Sequence, residues 1–304
     1  MAHPSATPLA ADRASALPYP GVGQRVAHTV LRFARLKPLG TFGAIIVLVM
    51  IVVALLAPIL AHFDPIDASA SRRLFPPSYD YWMGTDGAGY DVYSRIVYGA
   101  RVSLYVALVA VALCIAIASV VGLLTAYFGG IVDLLLQRVV DAVMSFPWLI
   151  LLLTIMFLLG TSTTNVGIAL GLLNGIRYTR VVRAAVLSVK ENQYFDAAKA
   201  IGCSQVRIMV HHVLPNVTAP IIVIASVSWG AVILSESSLS FLGFGVPPPE
   251  PSWGGMLSGD SRKFFEVAPW IAIFPGLAIS LTVFGFNMLG DALRDVLDPR
   301  LRAR

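Results

Sequence analysis

Long apolar stretches are the feature that most restricts the fold of this chain. A helix that crosses the hydrocarbon core of a bilayer needs about 20 apolar residues, and six stretches come close to that length. They cover approximately residues 42–61, 103–127, 140–159, 164–187, 217–240 and 270–290. Only 13% of the 304 residues are charged, whereas a soluble domain has about 25%. The sequence therefore predicts an all-α polytopic membrane protein with six transmembrane helices.

The fourth stretch is the weakest candidate, because its second half contains three arginines. These are Arg177, Arg180 and Arg183. A re-entrant or tilted segment is the alternative there. Pro147 lies inside the third stretch and predicts a kink, since proline cannot donate the backbone hydrogen bond of a helix interior. Residues 62–102 and 241–269 are rich in glycine and proline, which predicts fixed turns outside the spans.

Basic residues predict the orientation of the bundle. With the N-terminus in the cytoplasm, six of the 22 lysines and arginines lie outside and sixteen lie inside. The outer six are Arg72, Arg73, Arg95, Arg101, Arg262 and Lys263. The positive-inside rule favours this arrangement, which also returns the C-terminus to the cytoplasm.

Segment boundaries follow from that orientation. We expect a cytoplasmic tail with a surface helix at 1–41, a transmembrane domain at 42–292 and a cytoplasmic tail at 293–304. Within the domain, 62–102 and 241–269 are the outer segments and 188–216 is a cytoplasmic segment. The surface helix is predicted from Arg25, His28, Arg32 and Arg35, which share one helical face.

Sites for catalysis, metals or cofactors are not indicated. The sequence contains no Gly-x-x-x-x-Gly-Lys-Ser/Thr phosphate-binding loop. The cysteines Cys114 and Cys203 and the dispersed histidines lack metal-ligand spacing. Nucleic-acid binding is disfavoured despite the net charge of +5, because the basic residues flank apolar stretches. We expect no catalytic, cofactor-binding or metal-binding residues. Any work that the protein does must then draw its energy from a partner or an ion gradient.

A polar island, residues 194–215, interrupts the apolar second half of the chain. The spacing of Tyr194, Ala198 and Ile201 predicts a helical face turned toward the bundle. Asp196 and Lys199 are expected to face away. The small side chains of Ala197 and Ala198 would let another protein approach the backbone. An ordinary amphipathic connector is the alternative.

Three further residues predict the ends of the helices in the polar island. Gly202 suits a left-handed residue at the end of the first helix. Ser204 is a suitable N-cap for the next helix. Pro215, which follows Leu214, either stops that helix or opens the fifth span.

The polar island resembles the cytoplasmic motif of ATP-binding-cassette importer permeases. That motif reads Glu-Ala-Ala, three residues, Gly, nine residues and Ile-x-Leu-Pro. Its matches here are Ala197, Ala198, Gly202, Leu214 and Pro215, with Asp196 in place of glutamate and His212 in place of isoleucine. The resemblance implies that Tyr194, Asp196, Ala197, Ala198, Lys199, Gly202, Leu214 and Pro215 couple the chain to an ATPase.

Other motifs resemble the second permease of dipeptide, oligopeptide and nickel importers. They are Trp82–Arg95 with Tyr98–Arg101, Glu236–Gly243 with Pro251–Gly254, and Leu289–Asp295 with Leu297–Arg300. Tyr90 departs from the family pattern, which has arginine there. The resemblance covers roughly residues 35–302.

This resemblance implies a type I ABC importer permease of a bacterial or archaeal plasma membrane, forming half of a peptide pathway by alternating access. The implied partners are a second homologous permease, two cytoplasmic ATP-binding subunits and an extracytoplasmic substrate-binding protein. Asp86, Asp91 and Trp253 are expected at the rim that meets the delivery protein. Nickel chelates or another small solute remain the alternative cargo, and a secondary transporter or intramembrane enzyme is a rival class.

Glu236 is the acid that most invites a functional interpretation. It lies near the outer end of the fifth span, and a charge in lipid costs about 3 kcal/mol on insertion scales. It either lines the substrate path or reaches the lipid headgroups.

Overall fold

The described part of the chain is helical. The computed structural model describes residues 33–297, so the expectations for 1–32 and 298–304, including most of the surface helix, lie outside the described residues. Eight main helices are α1 Pro38–Leu55, α2 Val92–Phe128, α3 Gly130–Met144, α4 Trp148–Leu159, α5 Thr163–Lys190, α6 Gln193–Ala200, α7 Leu214–Phe241 and α8 Trp270–Leu297. Across 33–297 the β pairing is limited to one isolated bridge, between Thr85 and Asp91. The predicted all-α class is confirmed.

Four helical stretches in the described residues are long and apolar enough to cross a membrane. They are α1, α2, α8 and the continuous helix Gln205–Phe241, which contains α7. The bent pair α3 and α4 makes a fifth if it counts as one span. α5, the fourth predicted span, has 28 residues but does not pass the same test of length and composition. Its sequence contains asparagines as well as the three arginines, and the count of six stays a prediction.

The predicted kink at Pro147 is confirmed. α3 ends at Met144, α4 begins at Trp148, and the two helices are bent by 95°. Pro147 itself has a φ of −56° and a ψ of 123°, an extended conformation that ends one helix and starts the other.

α2 begins eleven residues before the predicted edge at residue 103. The Asp91 carboxylate accepts a hydrogen bond from the Ser94 backbone N–H at 2.8 Å and caps the first turn. The first three turns contain Ser94, Arg95 and Arg101, which lower the local hydropathy and hide the helix from an apolar-window search. Residues 92–102 therefore belong to a helix, whereas the sequence placed them in an outer segment.

A glycine stripe on α5 brings that helix against α2. Gly167, Gly171 and Gly175 recur every four residues and share one face. A Cβ added at Gly171 would lie 2.8 Å from the Ala110 carbonyl oxygen of α2. The other two glycines meet α2 side chains equally closely. Small residues at this spacing let helix backbones approach within a membrane.

The loop cap, residues 62–91 and 242–269, covers one end of the bundle. It contains the short helices Ala70–Arg72, Trp253–Met256 and Gly259–Phe264. The Trp253 indole donates to the Ile96 carbonyl oxygen at 2.9 Å, and the Trp270 indole donates to the Thr85 carbonyl oxygen at 3.1 Å. These bonds fix both segments of the loop cap to the spans.

The α2–α5 contact predicts a specific pair of outcomes. Gly171→Ala should destabilise the purified protein by about 1–3 kcal/mol, because its Cβ has no room beside the α2 backbone. Gly276→Ala in α8 is the matched control. Nothing lies within 4 Å of a Cβ there, so the substitution should be neutral or gain up to about 1 kcal/mol of helix propensity. Thermal unfolding in detergent measures both, and equal melting temperatures would contradict the close approach.

Candidate coupling site

The first helix of the polar island is anchored on one side and open on the other. In α6, Phe195 is 1% exposed and Ala198 is 5% exposed. Both belong to a hydrophobic cluster with Ile208, Val213 and residues of α2 and α5. Asp196 and Ala197 are exposed on the opposite side. The helix therefore presents a narrow acidic and small-residue edge while its buried face holds it to the bundle.

The predicted buried face of this helix is right at one position and wrong at another. Ala198 is buried as expected, but Ile201 is 80% exposed. α6 ends at Ala200, so the helical spacing no longer applies to Ile201, and Phe195 takes its place in the core. The side chains of Tyr194 and Lys199 lie outside the described part of the structure.

The turn after α6 is a Schellman-type helix end. Gly202 has a φ of +78°, and the Cys203 N–H donates to the Ala198 carbonyl oxygen at 3.1 Å. The Ser204 hydroxyl then accepts from the Arg207 N–H at 3.4 Å and begins the next helix. The predicted roles of Gly202 and Ser204 at the helix ends are confirmed.

Pro215 opens α7, and the alternative that it stops the preceding helix is wrong. The helix runs without a break from Gln205 to Phe241. A π-helical segment, Ile208–Val213, comes directly before Leu214 and Pro215 in the first turn of α7. Such a segment widens the helix where proline lacks its own N–H, and the chain continues in one direction. Leu214 and Pro215 are exposed.

Ion pairs that the sequence analysis missed tie α3 to α5. Arg183 makes two hydrogen bonds to the Asp133 carboxylate, at 2.8 and 2.6 Å. Arg180 donates one hydrogen bond to the Asp141 carboxylate, farther along α3. The Lys190 ammonium donates to the carbonyl oxygens of Ala126 and Tyr127 at the end of α2. The arginines of α5 therefore have acidic partners, which the spacing of Asp133 and Asp141 on one helix could have suggested.

The expected rim residues are not surface groups. Asp86 is 9% exposed, and its carboxylate accepts from the backbone N–H groups of Ala88 and Tyr90. Asp91 is 4% exposed and caps α2, and Trp253 is 2% exposed and bonded to Ile96. Each of these side chains holds the loop cap together, and their contact with a delivery protein stays a prediction.

Glu236 does not reach the surface of the chain. It is completely buried between α2 and α7. Its carboxylate accepts from Ser240 at 2.8 Å, from Ser103 at 3.3 Å and from Ser237 at 3.5 Å. The Ser240 hydroxyl also accepts from the Val246 N–H at 3.2 Å, which extends the network into the loop cap. Glu236 thus joins two spans and a loop. Its carboxylate does not reach the lipid headgroups, and its place in the substrate path stays a prediction.

Comparison with known proteins identifies the family. The family model described as the inner membrane component of binding-protein-dependent transport systems matches residues 118–303. The chain belongs to this family. A second model, for the N-terminal transmembrane domain of oligopeptide transport permease C, matches residues 28–77 of this permease.

Curated relatives extend over nearly the whole permease. The dipeptide transport system permease protein DppC of Alkalihalophilus pseudofirmus is 43% identical over 273 residues, covering 89% of this chain and 90% of the relative. DppC of Haemophilus influenzae is 35% identical over 295 residues, covering 91% and 100%. The glutathione transport system permease protein GsiD of Escherichia coli is 37% identical over 276 residues, covering 90% and 91%. The resemblance to the second permease of these ABC importers is confirmed.

The serine network predicts the response of the permease to changes at Glu236. Glu236→Ala should cost about 2–4 kcal/mol of stability, because three buried hydroxyls lose their acceptor and a cavity is left. Glu236→Gln keeps one acceptor oxygen and most of the volume, so it should cost less. Glu266→Ala, at an exposed site in the loop cap, is the control. Scanning fluorimetry in detergent gives the melting temperatures of the three variants. A wild-type melting temperature for Glu236→Ala would contradict a stabilising role of the serine network.

Proposed function

We propose that this permease forms half of the translocation pathway of an ATP-driven importer for peptides. It would pair with a second homologous permease, dock two cytoplasmic ATP-binding subunits and receive cargo from an extracytoplasmic substrate-binding protein. The observation that carries the proposal is the anchored α6 helix, with its exposed edge at Asp196 and Ala197, in a chain of this family. The proposed cargo is supported by the similarity to permeases of dipeptide and glutathione transport systems.

Coupling depends on force passing from the ATPase into the spans. The buried residues of α6 share one hydrophobic cluster with Val182 and Val186 of α5 and with Val217 of α7. Moving α6 would therefore displace both helices, because close-packed side chains transmit displacement. Ala197 provides the close approach at the exposed edge, whereas Ala198 supports the helix from within.

A small solute such as a nickel chelate is the second candidate cargo, using the same machinery. A secondary transporter has less support. It would need coupling acids near the middle of the spans, and the one buried acid of α7, Glu236, is held by serines near one helix end.

The proposed orientation has a direct test. Sixteen basic residues on one side against six on the other favour an orientation with both termini in the cytoplasm. Reporter fusions after Ser71 and after Arg304 should therefore report opposite sides of the membrane. The same side for both reporters, or an external C-terminus, would invert or remove the proposed ATPase contact.

The coupling role of the polar island has a sharper test. Gly202→Val should impose about 1 kcal/mol or more of backbone strain at a φ of +78°. Nothing lies within 4 Å of a Cβ at Gly202, so the conformation of the turn is changed without a clash. Peptide uptake and substrate-stimulated ATP hydrolysis by the reconstituted complex should fall together.

Gly202→Asn is the matched control, because asparagine tolerates the left-handed conformation. It should retain most of the uptake and ATPase activity. Binding of the substrate-binding protein should survive in both variants, since the loop cap is unchanged. Wild-type uptake and ATPase activity in Gly202→Val would mean that the island is only a connector.

A further inference from the structure

An aromatic cleft opens on the surface of the loop cap. Its volume is about 560 Å³, and five of its six lining side chains have an aromatic ring, whereas the sixth is a carboxylate. The lining residues are His62, Phe63, Tyr79, Asp80, Tyr81 and Trp82. Tyr79 is 94% exposed and Trp82 is 53% exposed. A group of large exposed aromatic side chains is typical of a surface that another molecule covers.

The aromatic cleft is preformed, because its rings and its turn are held by neighbours. The His62 ring meets the Trp82 ring edge-on, with 4.2 Å between the ring centroids. Phe63 stacks on Tyr81 at 5.2 Å between centroids. The Ser78 N–H donates to the Tyr81 carbonyl oxygen at 2.8 Å and closes the turn that presents Tyr79. Little ordering is therefore needed when a partner binds, which favours affinity.

Asp80 gives the aromatic cleft a negative charge. Its side chain is exposed and has no hydrogen bond or ion pair with another described residue. With histidine counted as neutral, it is the one charged side chain among the residues that line the cleft. Arg72 lies next to Tyr81, but it is paired with Asp67 at 2.6 Å, so its charge is already compensated. Aromatic faces beside a carboxylate attract a cation.

The shape of the aromatic cleft favours a protein over a small solute. All six lining residues come from two short segments, 62–63 and 79–82. A site for a small ligand buries most of the ligand surface, whereas the almost fully exposed Tyr79 ring belongs to an open surface. Tyrosine and tryptophan also occur at lipid headgroups. An uncompensated carboxylate such as Asp80 is repelled by anionic lipids, which makes a membrane surface the less favourable partner.

We propose that the aromatic cleft receives a lysine or arginine side chain of the extracytoplasmic substrate-binding protein. This inference rests on the proposed function, because it names a contact by which that partner is recognised. The rings of Tyr79 and Trp82 pack against the long side chain, and Asp80 attracts its charge.

A photoreactive residue at position 79 tests the contact directly. Tyr79 is replaced by p-benzoylphenylalanine, which keeps an aromatic ring at this exposed site. On irradiation its ketone takes a hydrogen atom from a nearby C–H group, and the two carbon radicals join in a new C–C bond. The complete complex in nanodiscs, mixed with its purified substrate-binding protein, should give a crosslink to a segment of that protein that contains lysine or arginine. The same replacement at Phe157 of α4, which is 79% exposed and lies outside the loop cap, should not capture it.

Variants at Tyr79 separate the ring from the fold. Tyr79→Ala should raise the dissociation constant of the binding protein about tenfold, because it removes the exposed aromatic anchor. Its melting temperature should stay at the wild-type value, since the Tyr79 ring makes no contact with another ring of the described residues. Tyr79→Phe is the matched control. It keeps the ring and should retain most of the affinity.

Variants at Asp80 test the charge. Asp80→Asn should raise the dissociation constant several-fold and weaken its dependence on salt. Asp80→Lys should raise the dissociation constant further, because it places two cations together. Glu266→Gln is the control, since it removes an exposed carboxylate of the loop cap that does not line the aromatic cleft. It should leave the affinity close to wild type.

Four results would overturn the inference. Unchanged dissociation constants in Tyr79→Ala and Asp80→Asn, with normal uptake, would leave the proposed function standing without this contact. A photo-crosslink to lipid in place of the binding protein would assign the rings to the membrane surface. Direct binding of dialanine in preference to N-acetyl-dialanine, lost in both variants, would assign the cleft to the ammonium group of a solute. A wild-type complex that binds no substrate-binding protein and imports no peptide would remove the proposed function as well.

Discussion

The close approach of α2 and α5 is the constraint on which the rest of the structure depends. α2 has 37 residues and makes contacts at both ends of the bundle. Near its start, Ile96 and Ser103 bind Trp253 and Glu236, and near its end Ala126 and Tyr127 accept hydrogen bonds from Lys190. Because the glycine stripe fixes α5 against this helix, it also fixes the loop cap relative to the polar island.

Polar groups in this permease are satisfied in small local sets, as an apolar solvent requires. The carboxylate of Glu236 is surrounded by serine hydroxyls, and Arg183 is paired with Asp133. Each set joins segments that are distant in sequence. Ser103 and Glu236 are 133 residues apart, so a buried hydrogen bond here connects parts of the chain that hydrophobic packing alone would not align. Arg95 differs, because its buried Nε–H has no acceptor among the described residues.

The sequence predicted features that depend on local physics. The helical class follows from apolar runs, the bend follows from Pro147, and the turn after α6 follows from Gly202. Helix starts that contain polar residues were harder to predict. Asp91 caps α2, and the turns that follow it contain charged side chains, so this start has no apolar run to mark it. Ile201 shows a second limit. Periodicity describes a face only while the helix continues, and α6 ends one residue earlier.

The partners of individual side chains could not be predicted from the sequence, because they depend on which helices pack together. Asp86, Asp91 and Trp253 look like surface residues in a loop rich in glycine, but each is buried by contacts across the loop cap. The hydrogen bond that Glu236 accepts from Ser103 of another helix could not be read from the sequence. In the polar island, the motif identified the segment, whereas the exposed and buried edges of α6 became clear only from the fold.

The unbroken helix Gln205–Phe241 has a mechanical consequence. Its 37 residues extend over about 55 Å at 1.5 Å per residue, well beyond the roughly 30 Å of a hydrocarbon core. The two ends of this helix reach the polar island and the loop cap. Tilting such a rod by about 10° about one end moves the other by about 10 Å. The helix is least stiff at the π-helical segment and at Pro220. These two places therefore determine how much of a displacement at one end of the helix is transmitted to the other.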